Sequence, residues 1–227
     1  LNITVDLLQC TPLDILIRAI RTCYESHDNS DSSWCISKDL KSYNTKYFEL
    51  GEKDKNLIKR IIDSQHTSTL EHIVFTFDIK GISRLCLQEL SRHRIASPSV
   101  KSSRYTLKEL KKEKEFWYPN LQTFSNFYDW ERASKYINFI DVEEIDIASI
   151  QALENVRKLI VSGKYSNDKI KYCLPEGFKV NEVLTINLRS LINFLHLREA
   201  EGAHFEIRDL AGKMRNIIPK EYHFILS

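Results

Sequence analysis

Residues 72–80 read HIVFTFDIK, and this alternation constrains the fold more than any other stretch. Ile73, Phe75, Phe77 and Ile79 fall on one side of an extended backbone. His72, Val74, Thr76, Asp78 and Lys80 fall on the other. The pattern predicts a strand with one buried face. FKVNEVLTIN, residues 178–187, alternates too, and Ile3, Val5 and Leu7 do so loosely. Helical patterns lie between these segments. PLDILIRAIRTCYES opens at Pro12, where a proline suits a first helical turn, and NLIKRIIDSQ is short and amphipathic. A helix runs from about Ser83 until Pro98 breaks it. Residues 142–161 form a long amphipathic helix with Ile145, Leu153, Val156 and Ile160 on its apolar side. A short helix ends at Leu174-Pro175, and LRSLINFLHLRE and FEIRDLAGKMRNI close the chain as two more. Strands and helices mix without a strict βαβα rhythm, which predicts an α+β fold. Residues 26–45, rich in Ser, Asp and Asn, predict a long loop, and 108–118 a solvated face. The aromatics Trp117, Tyr118, Phe124, Phe127, Tyr128 and Trp130 are expected to pack in the core or at an interface.

A chain of 227 residues fits one domain with a sizeable core. Net charge is +2, so no global field draws it to nucleic acid or a membrane, and any electrostatic argument must be local. No apolar run approaches the roughly 20 residues of a membrane helix. LNITVDLLQC lacks the basic-then-apolar order of a secretory signal. Five scattered cysteines without a C-x-x-C pair point away from a disulfide framework or zinc ribbon and toward reduced thiols in a cytoplasm.

Local charge is concentrated in RHRIASPSVKSSRY, residues 92–105, which carries Arg92, Arg94, Lys101 and Arg104 and no carboxylate. Like charges this close repel unless an anion or water separates them, and arginine forks match phosphate oxygens. In the preceding helix Ile82, Leu85, Cys86, Glu89, Leu90 and His93 share one face. Glu89 and His93, at i and i+4, are expected to form a buried, self-satisfying pair. HTSTLEH, residues 66–72, has two histidines and a glutamate, but the spacing fits no zinc motif. It reads as a loop-to-strand junction offering hydroxyls. In NLRSLINFLHLR, residues 187–198, Leu191, Ile192, Phe194, Leu195 and Leu197 form an apolar arc with Arg198 in its middle. Arg198 is either buried against a partner or reaches out to water from the helix end. Arg189, Asn193 and His196 line the opposite face, either as a solvated surface or as a ligand wall.

Together these stretches resemble the flavin-dependent thymidylate synthases, whose signature is R-H-R-x-x-S-x-N-x-x-S-x-R-Y. Arg92, His93, Arg94, Ser97, Ser102, Arg104 and Tyr105 match it in register. HTSTLEH and the N-x-R-S-L-x-N-F-L-x-L-R run are similar to two further blocks of that family. The signature Asn is Ser99 here, the Glu that often follows it is Val100, and a family arginine is Lys171, which keeps the charge but not the planar fork. The resemblance implies a single domain over 1–227, with a central, mainly antiparallel sheet flanked by helices. It implies a homotetramer with active sites where subunits meet. FAD would be bound by Ser68, Arg92, His93, Arg94, Asn187, Arg189 and Asn193. The dUMP would be held by Glu89, Arg92, Ser102, Ser103, Arg104, Lys171 and Arg198. The implied reaction is reductive methylation of dUMP to dTMP, with methylenetetrahydrofolate as carbon donor and NADPH as reductant. No metal is implied. Arg198 is the expected catalytic residue, its cation favouring the ionised uracil. Ser102 has no evident base beside it and reads as a hydrogen-bond donor, not a nucleophile. Two other readings are a nucleic-acid module using the basic stretch and a relative that kept the fold without the activity. The first lacks any recognised nucleic-acid motif.

Overall fold

The computed structural model describes residues 1–36, 46–120 and 125–226. The first half of the chain runs β1 (Thr4–Cys10), α1 (Leu13–Cys23), β2 (Ser33–Ile36), β3 (Lys46–Glu49), α2 (Glu52–Asp63), β4 (Val74–Ser83), α3 (Arg84–Leu90), β5 (Ala96–Val100) and α4 (Ser103–Thr106). The second half runs β6 (Trp117–Asn120), β7 (Ser125–Tyr128), α5 (Trp130–Ala133), α6 (Glu143–Ser162), α7 (Asn167–Ile170), β8 (Lys179–Asn187), α8 (Leu188–Arg198) and α9 (Phe205–Ile217). A four-stranded sheet in the order β1-β4-β8-β5 has antiparallel pairing throughout, and β2-β3 and β6-β7 are separate hairpins. This is the α+β architecture expected.

The alternation in HIVFTFDIK does what its period requires. Phe75, Phe77 and Ile79 are fully buried, and Val74, Thr76 and Asp78 are half-buried. With Leu184 and Ile186 of β8 they form the floor of the main core, roofed by α1, α3, α8 and α9 through residues such as Leu16, Cys86, Phe194 and Leu210. A bulge breaks the β4–β8 register between Ile79 and Ile82, where Gly81 takes φ +79°. A Cβ there would sit 2.6 Å from the Asn2 carbonyl oxygen, so only glycine fits. A second cluster packs α6 against Leu107, Leu110, Phe116, Ile137 and Phe178. Asn138 ties it to the sheet, its amide donating to the Gly81 carbonyl at 2.8 Å and to Glu206 at 3.0 Å.

Several expectations need correction. The helix that begins at Ser83 ends at Leu90, not at Pro98. Pro98 lies inside edge strand β5 opposite Leu184, a position where a missing N–H is tolerated. Pro12 precedes its helix as the N-cap residue, and α2 starts at Glu52, four residues before NLIKRIIDSQ. The expected loop at 26–45 contains a 3-10 turn at His27–Asn29 and strand β2, while 37–45 lie outside the described residues. Ile145 and Leu197 are about half exposed, off the apolar faces assigned to them. Of the aromatics, Trp117 and Tyr128 pack against the second cluster. Tyr118, Phe127 and Trp130 remain exposed, and Phe124 lies outside the described residues.

Candidate active site

The helix N-termini fix the site's frame. Ser83 caps α3, accepting from the Cys86 N–H, and is itself held by Glu206 of α9, which accepts its N–H at 2.7 Å and its hydroxyl. Asn187 caps α8, its Oδ1 accepting from the Ser190 N–H at 2.9 Å. These anchors aim the C-terminal ends of α3 and α8 at each other.

There Arg198 meets Glu89 and His93. Its Nη1 donates to Glu89 Oε2 at 2.8 Å, its Nη2 to the Glu89 carbonyl at 3.2 Å, and its Nε to His93 Nε2 at 3.0 Å. Glu89 and His93 are therefore not a self-satisfying pair; Arg198 serves both. Nor is the arginine unpaired or reaching for water, since its side chain is only 16% exposed. Accepting at Nε2 requires a neutral ring with its proton on Nδ1. Burial, followed by the Arg198 charge, holds His93 below the ordinary imidazole value, which favours that form. The edge of Phe194 fixes the ring, with centroids 4.9 Å apart at 80°. Arg92 lies 3.4 Å from Glu89 Oε1 with its guanidinium mostly exposed, and Arg94 is exposed beside it.

A second group sits beyond the far end of β5. Arg104 Nε is 3.3 Å from Asp168 Oδ2, Lys171 Nζ is 3.9 Å from Asp168 Oδ1, and Asn167 Nδ2 donates to the Arg104 carbonyl at 2.7 Å. Ser102 and Ser103 stand at the start of α4. Asp168 was missed by sequence reasoning; its i, i+3 spacing to Lys171 is the available signal. A third group lies at the start of α8. Ser68 is exposed on the 3-10 turn Thr67–His72, and Arg189 pairs with Glu71 of that turn at 2.6 Å. Glu71 was also missed. It lies inside HTSTLEH, but its partner is 118 residues away. Asn193 and His196 are exposed on the same helix.

One chain does not unite the expected nucleotide ligands. Glu89, Arg92 and Arg198 precede β5 in space, and Ser102, Ser103, Arg104 and Lys171 follow it. The strand from Ala96 to Val100 spans about 13 Å at the usual rise per residue. No hydrogen bond or ion pair joins the two groups among the described residues. Arg189 and Arg198 likewise stand about 14 Å apart along α8.

Cys86, on the helix that leads into the signature, is fully buried, and burial pushes its thiol up, away from a nucleophile's range.

Residues 6–222 match the model of the thymidylate synthase complementing protein family. A flavin-dependent thymidylate synthase of Wolinella succinogenes is 48% identical over 223 residues, 98% of this chain and 96% of the relative. One of Campylobacter jejuni is 46% identical over 224 residues, covering 98% of this chain and 95% of the relative. The crystal structure of a flavin-dependent thymidylate synthase of Helicobacter pylori, complexed with FAD and dUMP, superposes with a TM-score of 0.83. It is 42% identical and covers 99% of this chain and 98% of that one. Family model, full-length relatives and superposed fold agree, and the chain belongs to the flavin-dependent thymidylate synthases, the thymidylate synthase complementing protein family.

Proposed function

We propose that this chain, as one domain, converts dUMP to dTMP by reductive methylation. FAD is the bound cofactor, methylenetetrahydrofolate the carbon donor and NADPH the reductant, in a cytoplasmic homotetramer. The observation that carries the reading is the fixed Arg198 guanidinium. Three of its five N–H groups are committed to Glu89 and His93, which leaves two to donate to a nucleotide. A cation held in place beside uracil lowers the pKa of the ring N–H and makes the ring electron-rich at the carbon that accepts the methylene unit. Glu89 and His93 act as positioning residues. His93, kept neutral, adds no second charge to compete with Arg198.

The donor set fits FAD. Arg92 and Arg94 are exposed guanidiniums suited to phosphates, Asn187 keeps its Nδ2 free of its capping bond, and Arg189, Asn193 and Ser68 are exposed on neighbouring surfaces. When bound, the flavin supplies the reducing equivalents of the methylation. Ser102, Ser103, Arg104 and Lys171 would hold the dUMP phosphate, with Asp168 keeping the two cations in register. The separation of these residues from Glu89, Arg92 and Arg198 along β5 supports self-association, in which a second copy of the chain completes each nucleotide site. Five free thiols accord with a reducing cytoplasm, and no helix among the described residues is long and apolar enough to cross a membrane.

The test is formation of dTMP from dUMP, methylenetetrahydrofolate and NADPH by purified protein reconstituted with FAD. Arg198→Ala should lower turnover by on the order of 10²–10³, as losing a preorganised charge does elsewhere. Unchanged turnover in that variant would remove Arg198 from the mechanism. A protein that never takes up FAD would refute the reading as a whole.

A further inference from the structure

Helix α9 braces both helices of the candidate active site. In its first turn the buried Glu206 holds Ser83, the cap of α3. In its last turn, about 14 Å along the axis, Arg215 grips Glu199, the residue that ends α8. Arg215 Nε donates to Glu199 Oε1 at 2.6 Å and Nη2 donates to Oε2 at 2.7 Å, a planar fork on a planar carboxylate. Its Nη1 donates to the Leu226 carbonyl at 3.2 Å, so the guanidinium is held from a second side. Among the described residues its hydrogen bonds go to Glu199 and Leu226 alone.

The place of Glu199 calls for a reason. A carboxylate at a helix C-terminus meets the negative end of the backbone dipoles, so Glu199 does not favour the helix end by itself. The last turn of a helix also frays readily, and Arg198 stands in that turn. Glu199 directly follows Arg198, and left unpaired it would compete with Glu89 for the Arg198 guanidinium. The fork removes that competition, because it draws Glu199 toward α9 while Glu89 and His93 hold Arg198 toward α3. The two side chains are 34% and 29% exposed, so their charges are partly screened, and what the bidentate contact adds is direction more than energy. We propose that Arg215 is a positioning residue: through Glu199 it fixes the last turn of α8, and with it the aim of Arg198 at the nucleotide. The inference rests on the role proposed for Arg198. Neither Arg215 nor Glu199 is among the expected ligands, and the 16 residues between them leave no local pattern.

The test uses the full chain loaded with FAD and assayed at saturating dUMP and methylenetetrahydrofolate. Arg215→Gln and Glu199→Gln should each lower kcat by on the order of tenfold while FAD uptake stays unchanged. Added to Arg198→Ala, Arg215→Gln should lower kcat no further, because the group it positions is gone. An unchanged kcat in Arg215→Gln, or a loss that multiplies with that of Arg198→Ala, overturns the proposal. If the parent chain makes no dTMP, the proposed function fails, and the positioning role is then read from His93. Burial and the Arg198 charge hold that ring's pKa down, against the opposing pull of Glu89. NMR titration of ring-labelled histidine should therefore show the His93 midpoint rise in Arg215→Gln, in the direction set by Arg198→Ala. A midpoint that Arg215→Gln leaves unmoved overturns the proposal whether or not the chain is active.

Discussion

Glu182→Gln should stabilise this protein, and by more at pH 8 than at pH 5. Burial raises the Glu182 pKa from 4.5 to about 7. The folded chain thus binds more protons at this site than the unfolded chain between those values, and stability falls as pH rises through that window. Relative to a carboxyl whose pKa does not change on folding, this shift lowers stability by on the order of 3 kcal/mol at pH 8, where the buried group is ionised, and by about 1 kcal/mol at pH 5, where only the unfolded chain ionises. Glutamine has the same shape and never ionises, so the advantage of the variant should grow by about 2 kcal/mol across the interval. For a chain of this size that corresponds to roughly 4–8 °C in melting temperature. Thermal melts of both proteins by circular dichroism, at one protein concentration and at pH 5 and pH 8, measure it. Other groups that titrate in the interval, His93 among them, are common to both proteins and cancel in the difference. An advantage that stays constant with pH, or shrinks at pH 8, would refute the reasoning, because it would mean that a cation such as Arg84 stabilises the ionised carboxylate.

Two further outcomes follow from the geometry. If each nucleotide site takes Arg198 from one chain and Arg104 from another, Arg198→Ala and Arg104→Ala are each inactive alone. Subunit exchange in a 1:1 mixture then restores about a quarter of the sites; no recovery after demonstrated exchange would place both arginines in one chain's site. Under native conditions iodoacetamide should modify exposed Cys23 and spare buried Cys86 until denaturant is added, as read by peptide mass spectrometry. Early labelling of Cys86 would show that α3 opens readily.

The legibility of the sequence varied with the range of the interaction. Period-two runs around Phe75 and Leu184 became neighbouring antiparallel strands, because alternation is a property of the local backbone. The helix read as starting at about Ser83 does start there, with Ser83 as its N-cap. The basic stretch was legible as chemistry but misread as structure. Pro98 argues for a broken helix only until β8 is available to pair with β5 and make it an edge strand. Glu182 could have been noticed, since it alternates with the buried Val180, Leu184 and Ile186 and therefore had to face the core.

The sequence by itself determined the α+β class, the one-faced strands and the cation-rich signature, since each depends on residues close together in the chain. Tertiary structure alone decided which charges meet. Arg198 and Glu89 are 109 residues apart, Arg189 and Glu71 118 apart, and no local pattern records such pairs. It also set Arg92 and Arg104 at opposite ends of a strand. Hydrophobic periodicity specifies which face of an element is buried, but the burial and pairing of a charge depend on what the rest of the chain packs against that face.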